Sequence, residues 1–580
     1  MNDTLSNLLE GFEHHLGNPH DDDNTFSFSR SATLDRAERF PDDICRQLNS
    51  WGLQRYYVPR ALGGELTTFE APFHLIRTVA RRDLTVAIGH GKTFLGGVCA
   101  WIVDPTDKIT GLARKVIEGH PVSWGLTERD HGSDLLAGDV RAQEAPGGYR
   151  ITGEKWLINN ATRGRISTVL ARSTPAGGAR GFDVFLVDKE ELPETAYHCL
   201  PKVHTHGIRG ADISGIRFEA AEVDRGCLLG TPGQGLETVL KSLQLTRTLC
   251  SSLSLGAGDH ALRLAVRFAQ ERSLYGRSLL ELPRARAVLL DAYADHLLGE
   301  ALALVGARSI HALTGEMSVT SAVVKYLVPS RTDTMIGTLA RFLGARSQLL
   351  DVFAEGRFQK VQRDHRIVGI FDGNSLVNLS ALINEFPTLA RKSGRAPDAA
   401  ALDGLFDLRR PPPPFDAARL SLISRHGSSL LRELPSSVGR LTDLATSRPA
   451  LLPVAELARR VRVRTDALRS EMAAHRPVRA AVAPRSFRVA EEISLCFAAS
   501  AAIGLWLAHH EQAESGPAGS LWHDAHWLHA ALNRVLTGLG IPATPAPAGD
   551  QALLHTLITQ CEDGWSLSLT PHRVAEGLVS

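Results

Sequence analysis

The sequence predicts a multi-domain, mainly α-helical protein with a β domain set into it, and three observations lead there. Apolar residues recur at three- and four-residue spacing before residue 120, short β-rich runs broken by glycine turns follow from Pro121, and long helical patterns return after Gly235. At 580 residues and 62.8 kDa the chain is long enough to bury several apolar cores. Hydrophobic residues at 43% and charged residues at 22% are ordinary for a globular protein, which excludes a disordered chain. Lys and Arg number 64 against 63 for Asp and Glu, so no overall field favours a polyanion and nucleic acid is not an expected partner. The longest apolar run, 498–508, falls short of the roughly 20 residues that a bilayer span needs. Residues 1–10 lack the basic start and apolar core of a signal peptide. The expectation is a cytoplasmic protein without a membrane span.

In chain order, helical spacing at 31–49 and 69–82, punctuated by Pro59 and Gly63-Gly64, predicts an N-terminal helical domain over 1–120. Strands are predicted at 148–158, 166–172, 182–187 and 213–218, with turns at Gly147-Gly148, Gly177-Gly178 and Gly210; they define a middle β domain over 121–232. Long patterns at 236–270, 284–313 and 319–343 predict a helical bundle over 233–390. Residues 391–415 carry Arg409-Arg410 before Pro411, Pro412, Pro413 and Pro414. Successive prolines have no N–H to donate, so a stiff linker is expected. Residues 416–580, rich in Ala, Leu and Arg, predict an additional C-terminal helical domain with loops at 514–519 and 542–549.

Several motifs carry no function. Gly91-Lys92-Thr93 ends like a phosphate-binding loop, but Val86 stands where that loop needs glycine. The histidines at 14–15, 204 and 206, and 509–510 lack the helical spacing of a metal pair, so no metal site is expected. The seven cysteines form no CxxC and are odd in number, which predicts reduced core residues. Chemistry concentrates elsewhere. Residues 124–134, WGLTERDHGSD, lead from a β-type segment into a glycine turn bearing the Thr127 and Ser133 hydroxyls. Exposed N–H groups and small side chains there suit a flavin's carbonyl edge or a pyrophosphate. Residues 148–160 form a strand, turn, strand unit that ends in Asn159-Asn160.

Those two blocks are followed in order by 202–223, by RTLCSSLSLG (247–256), by ERSLYG (271–276) and by RDHRIVGIFDGNS (363–375). Together they resemble the acyl-CoA dehydrogenase superfamily over roughly residues 30–388. The resemblance implies a helical domain, a middle β-barrel and a four-helix bundle, with FAD between the last two. The appended helices resemble those of acyl-CoA oxidases, where such a domain helps dimerise. Cofactor-binding positions are implied at Trp124, Leu126, Thr127, Gly132 and Ser133, with Thr127 and Ser133 matching residues at the flavin ring and pyrophosphate. Leu157-Ile158-Asn159 replaces the family's WIT triplet, so an amide stands for the usual hydroxyl. Arg272 matches an arginine that pairs with the neighbouring subunit's FAD phosphates. Tyr275, Gly344 and Asn374 are further implied contacts, whereas Pro283 and Ala345 depart from the pattern.

Most family members carry their base as the glutamate of YEGT; here that place reads Phe371-Asp372-Gly373-Asn374, and the minority position before Arg247 is Thr246. The resemblance therefore points to Asp372 as catalytic base, with Arg247 as a neighbouring charge. From the residues alone, Asp-Gly is also an ordinary turn sequence. The implied reaction is FAD-dependent oxidation of an acyl thioester, on coenzyme A or an acyl-carrier protein, to the α,β-unsaturated product. Electrons would pass to an electron-transfer flavoprotein or to oxygen, and a homodimer or homotetramer is implied. Two other readings remain open: a flavin oxidase resembling nitroalkane oxidase, which also uses an aspartate base, and a non-catalytic platform that binds flavin or thioester.

Overall fold

The computed structural model describes residues 3–391, 398–476, 482–511, 519–545 and 547–577. Two compact units emerge, Asp22–Thr246 and a second made of Met1–Asp21 with Arg247–Ser580.

The first unit opens with helices α2 (Phe28–Arg36), α3 (Asp42–Trp51), α4 (Glu70–Arg82), α5 (Leu84–Trp101) and α6 (Asp107–Ile117), α1 being Asp3–Leu16 of the other unit. The helix expected over 31–49 is two: α2 stops at Arg36, Glu38 turns to φ 51°, and Pro41, which lacks an N–H, stands where α3 begins. Side-chain caps define three of the starts: Ser27 accepts from the Arg30 N–H before α2, Asp83 from the Val86 N–H before α5, and Thr106 from the Ile109 N–H before α6. The strands β1 (Val122–Gly125), β2 (Arg141–Ala145), β3 (Gly148–Asn159), β4 (Ile166–Arg172), β5 (Phe182–Asp188), β6 (Tyr197–Leu200) and β7 (Ile213–Asp224) form one sheet. Its order is β1-β4-β2-β3-β7-β6, with β5 on β4. Thus the β domain is a seven-stranded sheet whose hydrogen-bonded path ends at β1 and β6. Alternate residues of β2, β3 and β7, including Ala142, Ile151 and Phe218, turn into a shared core with Phe185 and Val187.

β3 and β7 pair antiparallel over most of their length, with register shifts between Ile151 and Gly153 and between Trp156 and Ile158. The second shift leaves Leu157 as an extra residue at φ 56°, a left-handed conformation that a β-bulge imposes.

Under the helices, His90 is buried between Tyr57, whose hydroxyl lies 2.8 Å from Nδ1, and Asn49, whose Oδ1 lies 2.9 Å from Nε2. Burial pushes this imidazole down to about 4 from 6.5. A folded value below the unfolded one means that the unfolded chain binds the extra proton first. Stability is therefore full above about pH 6.5 and declines as pH falls toward 4. Between pH 7 and pH 5 this one group is expected to cost the first unit about 2 kcal/mol. Urea unfolding at both pH values checks it, and His90→Gln, which removes the titration, should flatten the dependence.

The second unit contains α1 and a helical assembly. The pattern predicted as one helix over 236–270 is two, α7 (Gly235–Leu249) and α8 (Ser251–Glu271), separated at Cys250; the division between the units falls within α7. A two-stranded hairpin, β8 (Ser273–Leu274) and β9 (Arg277–Ser278), leads to α9 (Pro283–Ala312) and α10 (Met317–Leu343). Next come α11 (Arg357–His365), α12 (Ser375–Asn384) and α13 (Phe386–Leu389). Beyond them lie α14 (Ala399–Phe406), α15 (Ser429–Ser447), α16 (Leu452–Ala474), α17 (Pro484–His509), α18 (Gly519–His523), α19 (His526–Gly538) and α20 (Pro547–Glu562).

Three expectations are corrected here. Residues 3–21 do not group with an N-terminal domain: Leu9, Phe12 and Leu16 of α1 are buried and Glu13 accepts from the Ala575 N–H at 3.2 Å, which ties both ends of the chain into one unit. Nor is 391–415 simply a stiff linker. Residues 392–397 lie outside the described residues, but α14 is helical with Leu405 and Phe406 buried. The buried Arg308 guanidinium donates to the carbonyls of Gly404, Asp407 and Arg410 at 2.8–3.0 Å, so these carbonyls are bound into the helical assembly. Finally, α17 at 26 residues is long and apolar enough by composition to cross a membrane, and 89% of its apolar window is buried inside the protein. Its apolarity serves packing against α9, α15, α16 and α19. The predicted loop at 514–519 falls largely outside the described residues.

The C-terminal segment is held by buried acids. Glu300 on α9 accepts from the Leu569 N–H at 2.7 Å and from the Ser568 hydroxyl, and Asp259 on α8 accepts from the Leu567 N–H at 2.9 Å.

Candidate active site

In the sheet unit, the segment after β1 is fastened to β3. The Trp156 N–H donates to the Thr127 carbonyl at 3.0 Å, and the Thr127 hydroxyl donates to the Trp156 carbonyl at 2.8 Å. Its one donor being used, that hydroxyl can offer a ligand only its lone pairs. Beneath runs a buried ion pair, Lys155 Nζ to Glu128 Oε1 at 2.7 Å, the two side chains 2% and 7% exposed. Lys155 also donates to the Leu126 carbonyl at 3.0 Å, and Glu128 accepts from the N–H groups of Asp139 and Val140. Burial alone would raise the Glu128 carboxyl; the adjoining ammonium and the two backbone donors outweigh it and hold the group below its ordinary value. Burial lowers Lys155, and Glu128 opposes that shift. One pair thus spans the segment from residue 126 to residue 140.

This brings Trp124, Leu126 and Thr127 beside the bulged end of β3, where Leu157 is 46% exposed and Ile158 is buried. Gly132 and Ser133 lie on the exposed part of the same loop. Asn159 is the telling residue. Both atoms of its amide are buried, and neither has a hydrogen-bond partner among the described residues. An unmet buried polar atom costs about 1–3 kcal/mol, so a donor and an acceptor are called for at this place. A flavin's pyrimidine edge carries both kinds of group, and the residues here fit it.

In the helical unit, Asp372 occupies the turn between α11 and α12. It is half-buried at φ 56°, followed by Gly373 at φ 100°. Arg247, in the last turn of α7, donates from Nε to the Asp372 main-chain carbonyl at 2.8 Å. The guanidinium lies so close to Gly373 that a Cβ there would stand 2.9 Å from Nη2; glycine is needed for both room and backbone. Burial lowers Arg247 from its ordinary value and the Asp372 charge opposes that. Arg247 is therefore a clamp on the backbone of the turn, where the sequence suggested a partner for the carboxylate. Lys325 on α10 supports the other side: buried, it donates to the Val368 carbonyl at 2.5 Å and lies 4.9 Å from the centre of the Phe371 ring. Asn374 serves as N-cap of α12, its Oδ1 accepting from the Val377 N–H at 2.9 Å.

Arg272 ends α8, and Tyr275 at φ 54° and 95% exposure forms the tip of the β8–β9 hairpin with Gly276. Gly344 ends α10 at φ 62°. The C-terminal ends of α8 and α10 meet through Phe268 and Phe342. Asp372 contacts Cys250, just before α8, whereas Arg272 follows the last residue of α8, 22 residues beyond Cys250; by helical rise these two ends lie roughly 30 Å apart. Within one chain the structure joins Arg247 to Asp372 and leaves Arg272 remote from both. Sequence reasoning missed Cys250, Lys325 and the Lys155–Glu128 pair. For Cys250 a signal existed: it follows Arg247 by three residues, on the same face of a helix.

Along the chain, helices are followed by a sheet bearing a buried amide and then by a helical bundle bearing a clamped carboxylate turn. Residues 123–221 match the acyl-CoA dehydrogenase middle domain and residues 233–385 the acyl-CoA dehydrogenase C-terminal domain. Over those two spans the chain is similar to the acyl-CoA dehydrogenase superfamily. The probable acyl-CoA dehydrogenase FadE25 of Mycobacterium tuberculosis is 28% identical over 263 residues, which is 45% of this chain and 67% of that protein. The mitochondrial short-chain specific acyl-CoA dehydrogenase of Homo sapiens is 26% identical over 369 residues, 60% of this chain and 83% of its own. In fold, the chain is similar to the prolyl acyl carrier protein oxidase AnaB, with a TM-score of 0.59 at 16% identity over 66% of this chain and 99% of that one.

Proposed function

We propose that this protein is an FAD-dependent dehydrogenase of acyl thioesters, with Asp372 as the base that removes the α-proton. The observation that carries the reading is a carboxylate at the family's base position, set in a left-handed turn whose backbone is fixed by a half-buried arginine. Bound FAD would supply the acceptor for the hydride leaving the β-carbon. In the sheet unit Asn159, with the Thr127 lone pairs and the Trp124–Leu126 backbone, would hold its ring; Gly132 and Ser133 would receive its pyrophosphate. Arg272 and Tyr275, remote from Asp372, would serve the FAD of a neighbouring subunit.

Asp372 takes the proton from the carbon next to the thioester carbonyl, and the electron pair of that C–H bond becomes the new double bond. For this the carboxylate must be ionised and held still, because misplacement of about 1 Å can cost on the order of a hundredfold. Arg247 meets the second need by holding the main chain, so the carboxylate oxygens are not consumed by the clamp. Coenzyme A and the phosphopantetheine arm of a carrier protein are both carriers for such a thioester, since they present the same reacting atoms.

The test is anaerobic bleaching of the FAD-loaded full chain with a panel of acyl-CoA and acyl-carrier-protein thioesters. At least one is expected to bleach the flavin and yield the enoyl product. A yellow protein that no thioester bleaches, but that nitroalkanes reduce, would replace this reading with the oxidase one.

A further inference from the structure

Cys250 joins α7 to α8 with helical backbone angles, φ −57° and ψ −21°, and its side chain reaches the turn that bears the base. Cys250 is 4% exposed, and its Sγ lies 3.6 Å from Asp372 Oδ2. Arg247, one turn earlier on the same face, holds the main-chain carbonyl of the same aspartate. Two side chains three residues apart thus engage one residue, 125 and 122 positions away, one by its backbone and one by its carboxylate. A hydrogen bond to its main-chain carbonyl does not by itself set χ1 and χ2 of an aspartate. A thiol donor at one carboxylate oxygen restricts both angles. The thiol is neutral, so it orients the carboxylate without compensating its charge as a nearer guanidinium would.

We infer that Cys250 is a positioning residue that fixes the rotamer of Asp372 through an S–H to carboxylate hydrogen bond. The inference rests on Asp372 being the base. Cys250→Ala in the FAD-loaded full chain is expected to slow flavin reduction by thioester about tenfold with substrate affinity unchanged. Cys250→Ser, which keeps a donor, should recover most of that rate. Cys250→Ala reducing at the wild-type rate, or Cys250→Ser as slow as Cys250→Ala, overturns the inference.

A second readout needs neither turnover nor substrate. The infrared difference between wild type and Cys250→Ala isolates the S–H stretch of this thiol. The same difference taken in an Asp372→Asn background should place that band at higher frequency, because an amide oxygen is a weaker acceptor than a carboxylate. If Asp372→Asn still reduces flavin, the base assignment falls and takes the inference with it. If that variant is inert and the thiol band has not moved, the inference alone falls.

Discussion

Asp372→Asn is expected to abolish thioester-driven flavin reduction, a loss on the order of 10²–10⁴-fold, while FAD remains bound. Asparagine has the same shape and tolerates the left-handed backbone that Asp372 adopts at φ 56°, so the turn survives the exchange. Arg247 donates to the main-chain carbonyl, which the substitution leaves in place. The Asn oxygen can still accept from Cys250. What is lost is the capacity to hold a proton taken from carbon. Stopped-flow reduction under argon checks the rate, and the visible spectrum of the purified variant checks cofactor retention. Reduction at the wild-type rate would show that the proton goes elsewhere.

The second large effect is on stability. Lys155→Met is expected to destabilise the sheet unit by about 3–5 kcal/mol, because it leaves the Glu128 carboxylate buried without its cation. The methionine fills the same volume, so the cost is electrostatic and not a cavity. Glu128 also accepts from the Asp139 and Val140 N–H groups, so the damage should spread along the loop that carries Thr127, Gly132 and Ser133. FAD affinity should fall with it. As a contrast, the pair between Lys108 and Glu191, 31% and 48% exposed, should contribute about 1 kcal/mol or less. Denaturant unfolding of the two Lys→Met variants measures both. A loss under 1 kcal/mol for Lys155→Met would remove the pair from its structural role.

Much of the fold was legible from local pattern. β4 spans Ile166–Arg172, as the β-rich run predicts, and α4 covers Glu70–Arg82 within one residue of its helical spacing. The missed strands β2 and β6 have only five and four residues, too few for a period to declare itself. The helix predicted across Cys250 failed because nothing in the local sequence marks a break there: no proline or glycine falls between Gly235 and Gly256. The proline run suggested a linker because prolines forbid a ladder, but Arg308, about a hundred residues earlier, supplies donors to the carbonyls just before it.

By itself the sequence determined the helix, sheet, helix succession, the turn with Asp372 in front of Gly373, and the amide at Asn159. Each is set by residues within a turn or a strand of one another. Only the tertiary structure decided that Arg247 grips the backbone of Asp372, that Cys250 meets its carboxylate, and that Glu128 and Lys155 close a charge pair away from water. These contacts join positions 125, 122 and 27 residues apart. Side-chain geometry and burial arise only when the elements pack, so no local periodicity could encode them.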